Sequence, residues 1–338
     1  MNLLLTSVSS AVCLLRYFKE ALDGSGDLHA ASSKDRSPAF LYADKSVVTP
    51  DPYDKEYIPF LLDYCAEKQI GGIIPFSDTD LLPLAKNKNL FEKNGVRVVV
   101  SEEEIVSVSC DKWKTYKFCL KNSIRVPNTY LSVEDALTDI KKALVSFPLI
   151  VKPRWGHGSL YVFEADDEDE LKIFFNKIHK CIMSSDLRHE IGATDDNVLI
   201  QEKLDGQEYG MDVINDLDSN YLNSVIKIKY SMRSGSTECA EIINNSILKE
   251  FGADLSKKSK HIGNLDLDIF LVEDKPYLIE MNPRFGGGYF FSHLAGINLP
   301  LAIIRWLNKE YVPEDFLKEK LGVVSHKFTD IVEFVSSE

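Results

Sequence analysis

Asp268-Ile269-Phe270-Leu271-Val272, then Glu273-Asp274-Lys275-Pro276, then Tyr277-Leu278-Ile279-Glu280-Met281-Asn282-Pro283-Arg284-Phe285 with Gly286-Gly287-Gly288 behind it, is the stretch whose reading decides the fold. Side chains alternate between the two faces of a strand. Read as a hairpin, Leu267, Ile269 and Leu271 share one face of the first strand, and Ile279 and Met281 share one face of the return strand. These apolar residues require a core. Asp268, Glu280 and Asn282 then converge on the opposite face, provided the turn keeps the even register that matches both apolar faces. Such hard oxygen ligands suit Mg²⁺ or Mn²⁺, ions that keep water or phosphate oxygens in their shell. Pro283 has no N–H and ends the strand, leaving Arg284 just beyond the carboxylates, where it can meet phosphate charge. A solvated hairpin also carries acids on its polar face, but it does not require an Asn-Pro-Arg ending and three glycines.

At 338 residues the chain has room for two or three domains with substantial cores. A formal net charge of -13 argues against nonspecific binding to nucleic acid or to an anionic membrane surface, since either needs a basic face. The six cysteines contain no CxxC pair, so neither a zinc site nor a disulfide framework is indicated, and a reduced, cytoplasmic setting is expected. No run approaches the ~20 apolar residues of a membrane helix. The N-terminal Leu3 to Val8 run lacks the basic flank of a signal peptide.

The first part reads as strands alternating with helices. Leu3 to Val8 is an apolar strand, Ala11 to Leu22 has helical spacing, Ala39 to Ala43 is a weaker strand, and Tyr57 to Lys68 is a helix. Ile70 to Pro75 and Val96 to Val100 are further buried strands. This order predicts parallel βαβ units and an open α/β sheet over residues 1 to about 108. The loop Ser7 to Ser10 has no glycine, so a dinucleotide fingerprint is absent. Asp78 and Asp80 follow a strand end, where they either meet a substrate amine or cap a helix beginning near Leu81.

Lys112 follows Asp111 at the start of a helix. Phe147 to Lys152 is a buried strand ending in a lysine, and Gly156 and Gly158 behind it allow backbone N–H groups to approach phosphate. No Gly-Lys-Ser or Gly-Lys-Thr follows, so this is not a Walker A loop. Asn197 to Leu204 is an apolar strand ending in an acid; strand, turn at Gly206, strand is the expected continuation. Ile226 to Lys229 alternates apolar and basic residues, as a strand with its lysines on one face. Arg233 to Ser236 reads as a loop able to fold over a substrate. Leu301 to Leu307 is a packing helix, and Gly322 to Phe334 an edge strand pair or tail.

Lys112, Val151-Lys152-Pro153 with its glycine loop, Glu202-Lys203-Leu204, Glu208, Asp268 and Glu280-x-Asn282-Pro283-Arg284 stand in the order found in ATP-grasp enzymes. The chain resembles carboxylate–amine ligases similar to the synthetase domains of the carbamoyl-phosphate synthase large subunit, from the N-terminal α/β domain to about residue 310. The resemblance implies a pre-ATP-grasp domain over 1–108 and an ATP-grasp domain over 109–338. The latter divides into a lid subdomain at about 120–203, a metal-bearing subdomain at about 204–310 and a tail at 311–338. It also implies that ATP is held by Lys112, Lys152, Gly156, Gly158, Ser159, Glu202, Lys203, Leu204 and Glu208, and Mg²⁺ by Asp268, Glu280 and Asn282. Arg284 and Lys152 would serve the transferring phosphoryl group, and Arg233 the substrate carboxylate. The implied reaction joins a small-molecule carboxylate to an amine through an acyl phosphate. A carboxylase, a small-molecule kinase and a non-catalytic nucleotide-binding protein are the alternatives, and a homodimer is a family-level expectation. Tyr161 stands where the family pattern often keeps a glycine, which implies a stiffer or differently shaped lid. Nothing suggests a glutaminase or the long C-terminal extension of biotin carboxylases, so carbamoyl-phosphate synthesis itself is not expected. Gly286 to His293 is expected to line the acceptor pocket, with His293 left as a structural residue.

Overall fold

A computed structural model describes residues 1–156, 158–185, 196–233 and 235–334; His157 and Ser234, within the two loops singled out from the sequence, lie outside the described residues. The chain builds three sheets. The first contains β1 (Asn2–Thr6), β2 (Leu28–Ser32), β3 (Lys45–Val48), β4 (Ile70–Pro75) and β5 (Arg97–Val98), all parallel, in the order β3-β2-β1-β4-β5. Helices α1 (Val12–Leu22), α2 (Tyr57–Lys68) and α3 (Asp78–Lys93) connect its strands. Leu14, Leu15, Phe18 and Leu22 form the buried stripe of α1, at the spacing that a 3.6-residue period imposes.

One expected strand is absent. Residues Pro38–Tyr42 form a 3₁₀ turn, because Pro38 has its φ preset and lacks the N–H that a strand ladder needs. The strands β2 and β3 lie on either side of it. Their short Leu-His-Ala-Ala-Ser and Lys-Ser-Val-Val runs carry too little periodicity to be singled out by pattern alone.

The second sheet is antiparallel, with β6 (Thr129–Tyr130), β7 (Leu149–Pro153), β8 (Phe163–Ala165) and β9 (Val198–Glu202) in the order β6-β9-β7-β8. Helices α4 (Glu103–Ser109) and α5 (Lys112–Lys121) precede it, and α6 (Val133–Lys141) packs on it through Ala136 and α7 (Glu168–Met183) through Leu171, Ile178 and Ile182. The third sheet, also antiparallel, holds β10 (Gln207–Asn215), β11 (Tyr221–Arg233), β12 (Ser236–Ile243), β13 (Gly263–Val272), β14 (Lys275–Asn282) and β15 (Val324–His326), ordered β14-β13-β10-β11-β12-β15. Helix α8 (Ser246–Ser259) covers its core face, burying Leu248 and Leu255 with Met211, Leu267 and Met281.

The strands on either side of Gly206 belong to different sheets, so Lys203 to Gly206 is a crossing between sheets and not a hairpin turn. Gly206 is required there because a Cβ would stand 2.6 Å from the Leu271 carbonyl oxygen. Helices α9 (Tyr289–Leu294) and α10 (Leu299–Leu307) return to the first sheet, where Phe285, Tyr289 and Ile303 share a core with Leu14 and Phe18. The N-terminal sheet and the glycine-rich segment after β14 are thereby packed as one hydrophobic unit.

Candidate nucleotide and acyl-transfer site

The β13–β14 hairpin turns on two residues, Glu273 (φ 47°) and Asp274 (φ 59°), the left-handed pair that matches strand twist in a tight hairpin. Val272 pairs with Lys275 and Ile269 with Leu278. Continued without a break, that register would set Glu280 opposite Leu267 and turn its carboxylate into the core. A bulge between those pairs and the next inserts Ile279, so that Asp268 faces Glu280 and Asp266 faces Asn282. Leu267, Ile269, Leu278 and Met281 are buried in the core. Ile279, expected on that core face, instead lines the cleft beside Glu280.

That cleft, of about 340 Å³, lies between the second and third sheets. Lys112, Lys152, Gly156, Gly158, Ser159, Glu202, Lys203, Leu204, Glu208, Asp268 and Glu280 all line it, with Ile150, Val162, Phe270 and Ile279 as apolar wall. Lys152 is 7 % exposed and donates to Gln201 Oε1 at 2.7 Å. Burial, reinforced by the nearby Lys112 charge, lowers the Lys152 pKa to about 8. Asp111 caps α5 by accepting from the Trp113 and Lys114 N–H groups, and it receives both arms of Arg154 at 2.7 Å. Lys112 is thus fixed in the first turn, its Nζ 2.6 Å from the Gly156 carbonyl oxygen and 3.5 Å from Glu280 Oε1. Gly156 (φ 100°) and Gly158 (φ 65°) occupy backbone conformations that favour glycine. Tyr161 is itself at φ 57° and packs against the core of the second sheet.

Arg284 and Arg233 do not line this cleft. Arg284 is gripped by Asp78, at 2.8 Å to each carboxylate oxygen, with Asp266 Oδ2 3.4 Å away. Asp78 therefore serves an arginine, while Ser77 is the α3 cap. Asp80 is fully buried and accepts from the Tyr57 hydroxyl, which removes it as an amine contact; burial raises its carboxyl pKa to about 6. Arg233 is 72 % exposed, and its one ion pair among the described residues is with Glu238, at 4.0 Å. His293 stacks on Tyr17 with ring centres 3.6 Å apart, and burial lowers its pKa.

A smaller hollow of about 80 Å³ adjoins the carboxylates, lined by Lys227, Lys229, Ser236, Asp266, Asp268, Gly287, Gly288 and Phe291. Lys229 bridges Glu208 at 2.6 Å and Asp268 at 2.5 Å. Burial works to lower the Lys229 pKa, but the two carboxylates outweigh it and hold the ammonium above its ordinary range. Lys227, 2 % exposed, pairs with Asp212 at 2.5 Å; Asp212 also accepts from Ser292 and Asn264. Burial drives the Asp266 carboxyl above its usual range against the pull of Arg284. The alternation over Ile226 to Lys229 placed both lysines on one face, but their partners on β10 and β13 lie too far along the chain for a pattern to reach. Among the described residues, no three His, Cys, Asp or Glu side chains gather as a metal-binding group; the hairpin offers two carboxylates and the amide of Asn282.

Three sheets in this order, with a lysine-bearing second sheet facing a carboxylate-bearing hairpin, are the architecture of ATP-grasp proteins, and two ATP-grasp family models together match residues 109–330. Residues 109–216 match a RimK-like ATP-grasp domain and residues 194–330 a model described as ATP-grasp in the biosynthetic pathway with Ter operon, while residues 3–99 match a PylC-like N-terminal domain. The large chain of carbamoyl phosphate synthase from Campylobacter jejuni is 24% identical over 277 residues, covering 78% of this chain and 24% of that protein. The chain thus spans about a quarter of the length of the curated relatives it first matches. Among solved structures, the biotin carboxylase domain of Hydrogenobacter thermophilus 2-oxoglutarate carboxylase aligns with a TM-score of 0.75 at 16% identity, over 95% of this chain and 73% of that one. The L-amino acid ligase from Bacillus licheniformis aligns with a TM-score of 0.72 at 20% identity, over 96% and 79%. No helix among the described residues is long and apolar enough to cross a membrane.

Proposed function

We propose that this protein is an ATP-dependent ligase that converts a small-molecule carboxylate to an acyl phosphate and joins it to an amine. The observation that carries the reading is the bulged hairpin register, which turns Asp268 and Glu280 together toward the cleft that also holds Lys152. The residues 129–202 sheet acts as the lid and the residues 207–326 sheet as the metal-bearing floor. The adenine lies against Ile150, Phe270 and the Glu202 to Leu204 crossing, and the phosphates run toward Lys152 and Lys112. Glu208 serves the ribose.

The donor set at the phosphate end, two carboxylates and an amide oxygen, is all hard oxygen, and it fits Mg²⁺, which takes one or two carboxylates with phosphate and water completing its shell. Bound there, the ion would offset charge on the β- and γ-phosphates. The same charge is already matched in the protein alone, where ammonium groups of Lys229 and Lys112 lie on Asp268 and Glu280. The carboxylate enters the hollow floored by Lys227 and Lys229, and its oxygen attacks the γ-phosphorus as the bond to ADP breaks. The amine then attacks the acyl carbon, the C–O bond to phosphate breaks, and an amide, ADP and phosphate leave. Lys152 and Lys112 position the phosphates and stabilise charge in a transition state that needs little else. Arg284, held by Asp78 and Asp266, orders the substrate side of the site.

Phosphate release from Mg-ATP, measured against small carboxylates and amines singly and in pairs with Glu280→Gln alongside, tests this. Release that requires both substrates and vanishes in the variant supports the ligase. Release needing a carboxylate but indifferent to any amine would replace it with a kinase or carboxylase reading.

A further inference from the structure

A second cavity, of about 550 Å³, opens on the other side of Glu280 and shares Lys112, Trp155, Gly156 and Glu280 with the nucleotide cleft. One wall is the α3 stripe Asp78, Thr79, Leu82, Pro83 and Lys86, residues brought to one side by helical spacing. Its charged lining divides into two ends. At the phosphate end every charge is matched: Asp78 holds Arg284, Asp111 holds Arg154, and Glu280 faces Lys112. Two further lining lysines, Lys86 and Lys114, have no carboxylate within 4.0 Å among the described residues; the Lys114 ammonium donates to the Ser107 hydroxyl. Lys86 lies eight residues along α3 from Asp78, which a rise of 1.5 Å per residue makes about 12 Å.

The cavity therefore has a charge-matched end at the reacting phosphates and two lining ammonium groups without a carboxylate partner, that of Lys86 lying about two turns of α3 from Asp78. Resting on the ligase reading above, we propose that this cavity takes the amine substrate, and that this amine carries an anionic group, a carboxylate or a phosphate, at its far end against Lys86 and Lys114. With the charges at the phosphate end already matched, the two lysines draw the anionic group to themselves and so turn the amino end toward the phosphates. The span admits a molecule several bonds longer than a single α-amino acid, such as a dipeptide or an ω-amino acid. Leu82, Pro83 and Trp155 supply apolar wall for the connecting chain.

Calorimetric titration of the Mg-ADP-saturated protein tests the proposal with four probes: glycyl-glutamate, 6-aminohexanoate, phosphoethanolamine and 6-aminohexanamide, whose far end carries an uncharged amide in place of the anionic group. The anionic amines are expected to bind, and the better of the carboxylate and phosphate probes identifies the group preferred. The amide should bind about tenfold or more weakly, the scale of one lost charge-assisted contact. Lys86→Gln and Lys114→Gln, both at exposed positions, should each erase the difference while leaving ADP affinity unchanged. Equal binding of acid and amide, binding indifferent to both substitutions, or no binding of any anionic probe overturns the proposal. Phosphate release is followed on the same preparations. Turnover served equally by neutral amines defeats this inference alone; lysine-dependent binding with no turnover for any pair defeats the ligase reading and leaves the cavity's specificity standing.

Discussion

The three consecutive glycines after Arg284 give a graded test of the site's packing. None of Gly286, Gly287 and Gly288 has a positive φ, so their backbone does not demand glycine, and what an added Cβ would meet decides each case. At Gly286 a Cβ would fall within the Asp266 carboxyl group, under 3.0 Å from its Cγ and both oxygens. At Gly288 it would stand 3.2 Å from Lys227 Nζ, the far end of a flexible side chain, and at Gly287 no closer than 3.7 Å to anything. Gly286→Ala therefore forces the Asp266 carboxylate off its seat and loosens Arg284, at an overpacking cost of about 1–3 kcal/mol. Gly288→Ala needs only a few tenths of an ångström from the Lys227 ammonium and should cost less than about 1 kcal/mol. Gly287→Ala should be near neutral. Melting temperature and phosphate release, measured on all three variants, should both rank Gly286→Ala far below Gly288→Ala, with Gly287→Ala close to the unmodified protein. A harmless Gly286→Ala, or a Gly287→Ala that equals it in damage, would refute the packing of Asp266 against this turn.

Lys227→Met leaves the Asp212 carboxylate buried without its cation and should destabilise by about 3–5 kcal/mol; adding Asp212→Asn should recover part of that loss in a thermal-melt double-mutant cycle, and strictly additive losses would contradict the pairing. ATP affinity should fall as pH rises through about 8, because Lys152 then loses the proton that phosphate binding needs, and Lys152→Met should flatten the profile measured by calorimetry. The sign for stability is opposite. With its folded value depressed to about 8, Lys152 binds fewer protons than the unfolded chain between there and roughly pH 10, so in that window its contribution to the stability of the nucleotide-free protein improves as pH rises.

Much of the architecture was legible because it is written in short-range periodicity. The alternation over β13 and β14 put Asp268, Glu280 and Asn282 on one face, and the Val151-Lys152-Pro153 run before two glycines marked a strand end whose lysine lines the cleft. Both signals need only neighbours two or three residues apart. Where the local pattern was thin, as in β2 and β3, or where a proline preset the backbone, as at Pro38, the reading failed. Parity of the hairpin was open for the same kind of reason. A two-residue turn alone would have buried Glu280, and the bulge at Ile279 that rescues it follows from fitting Leu278 and Met281 into one core.

The sequence by itself determined the order of most elements, the acidic hairpin and its basic counterpart at the end of β7, since residue type and spacing suffice for those. Tertiary structure decided which charges answer one another. Asp78 meets Arg284 from 206 positions away, Arg154 locks the cap of α5, and Lys229 lies between Glu208 and Asp268. These pairings depend on how three sheets pack, and a buried charge selects its partner by proximity and desolvation in the folded protein, quantities that no local pattern encodes.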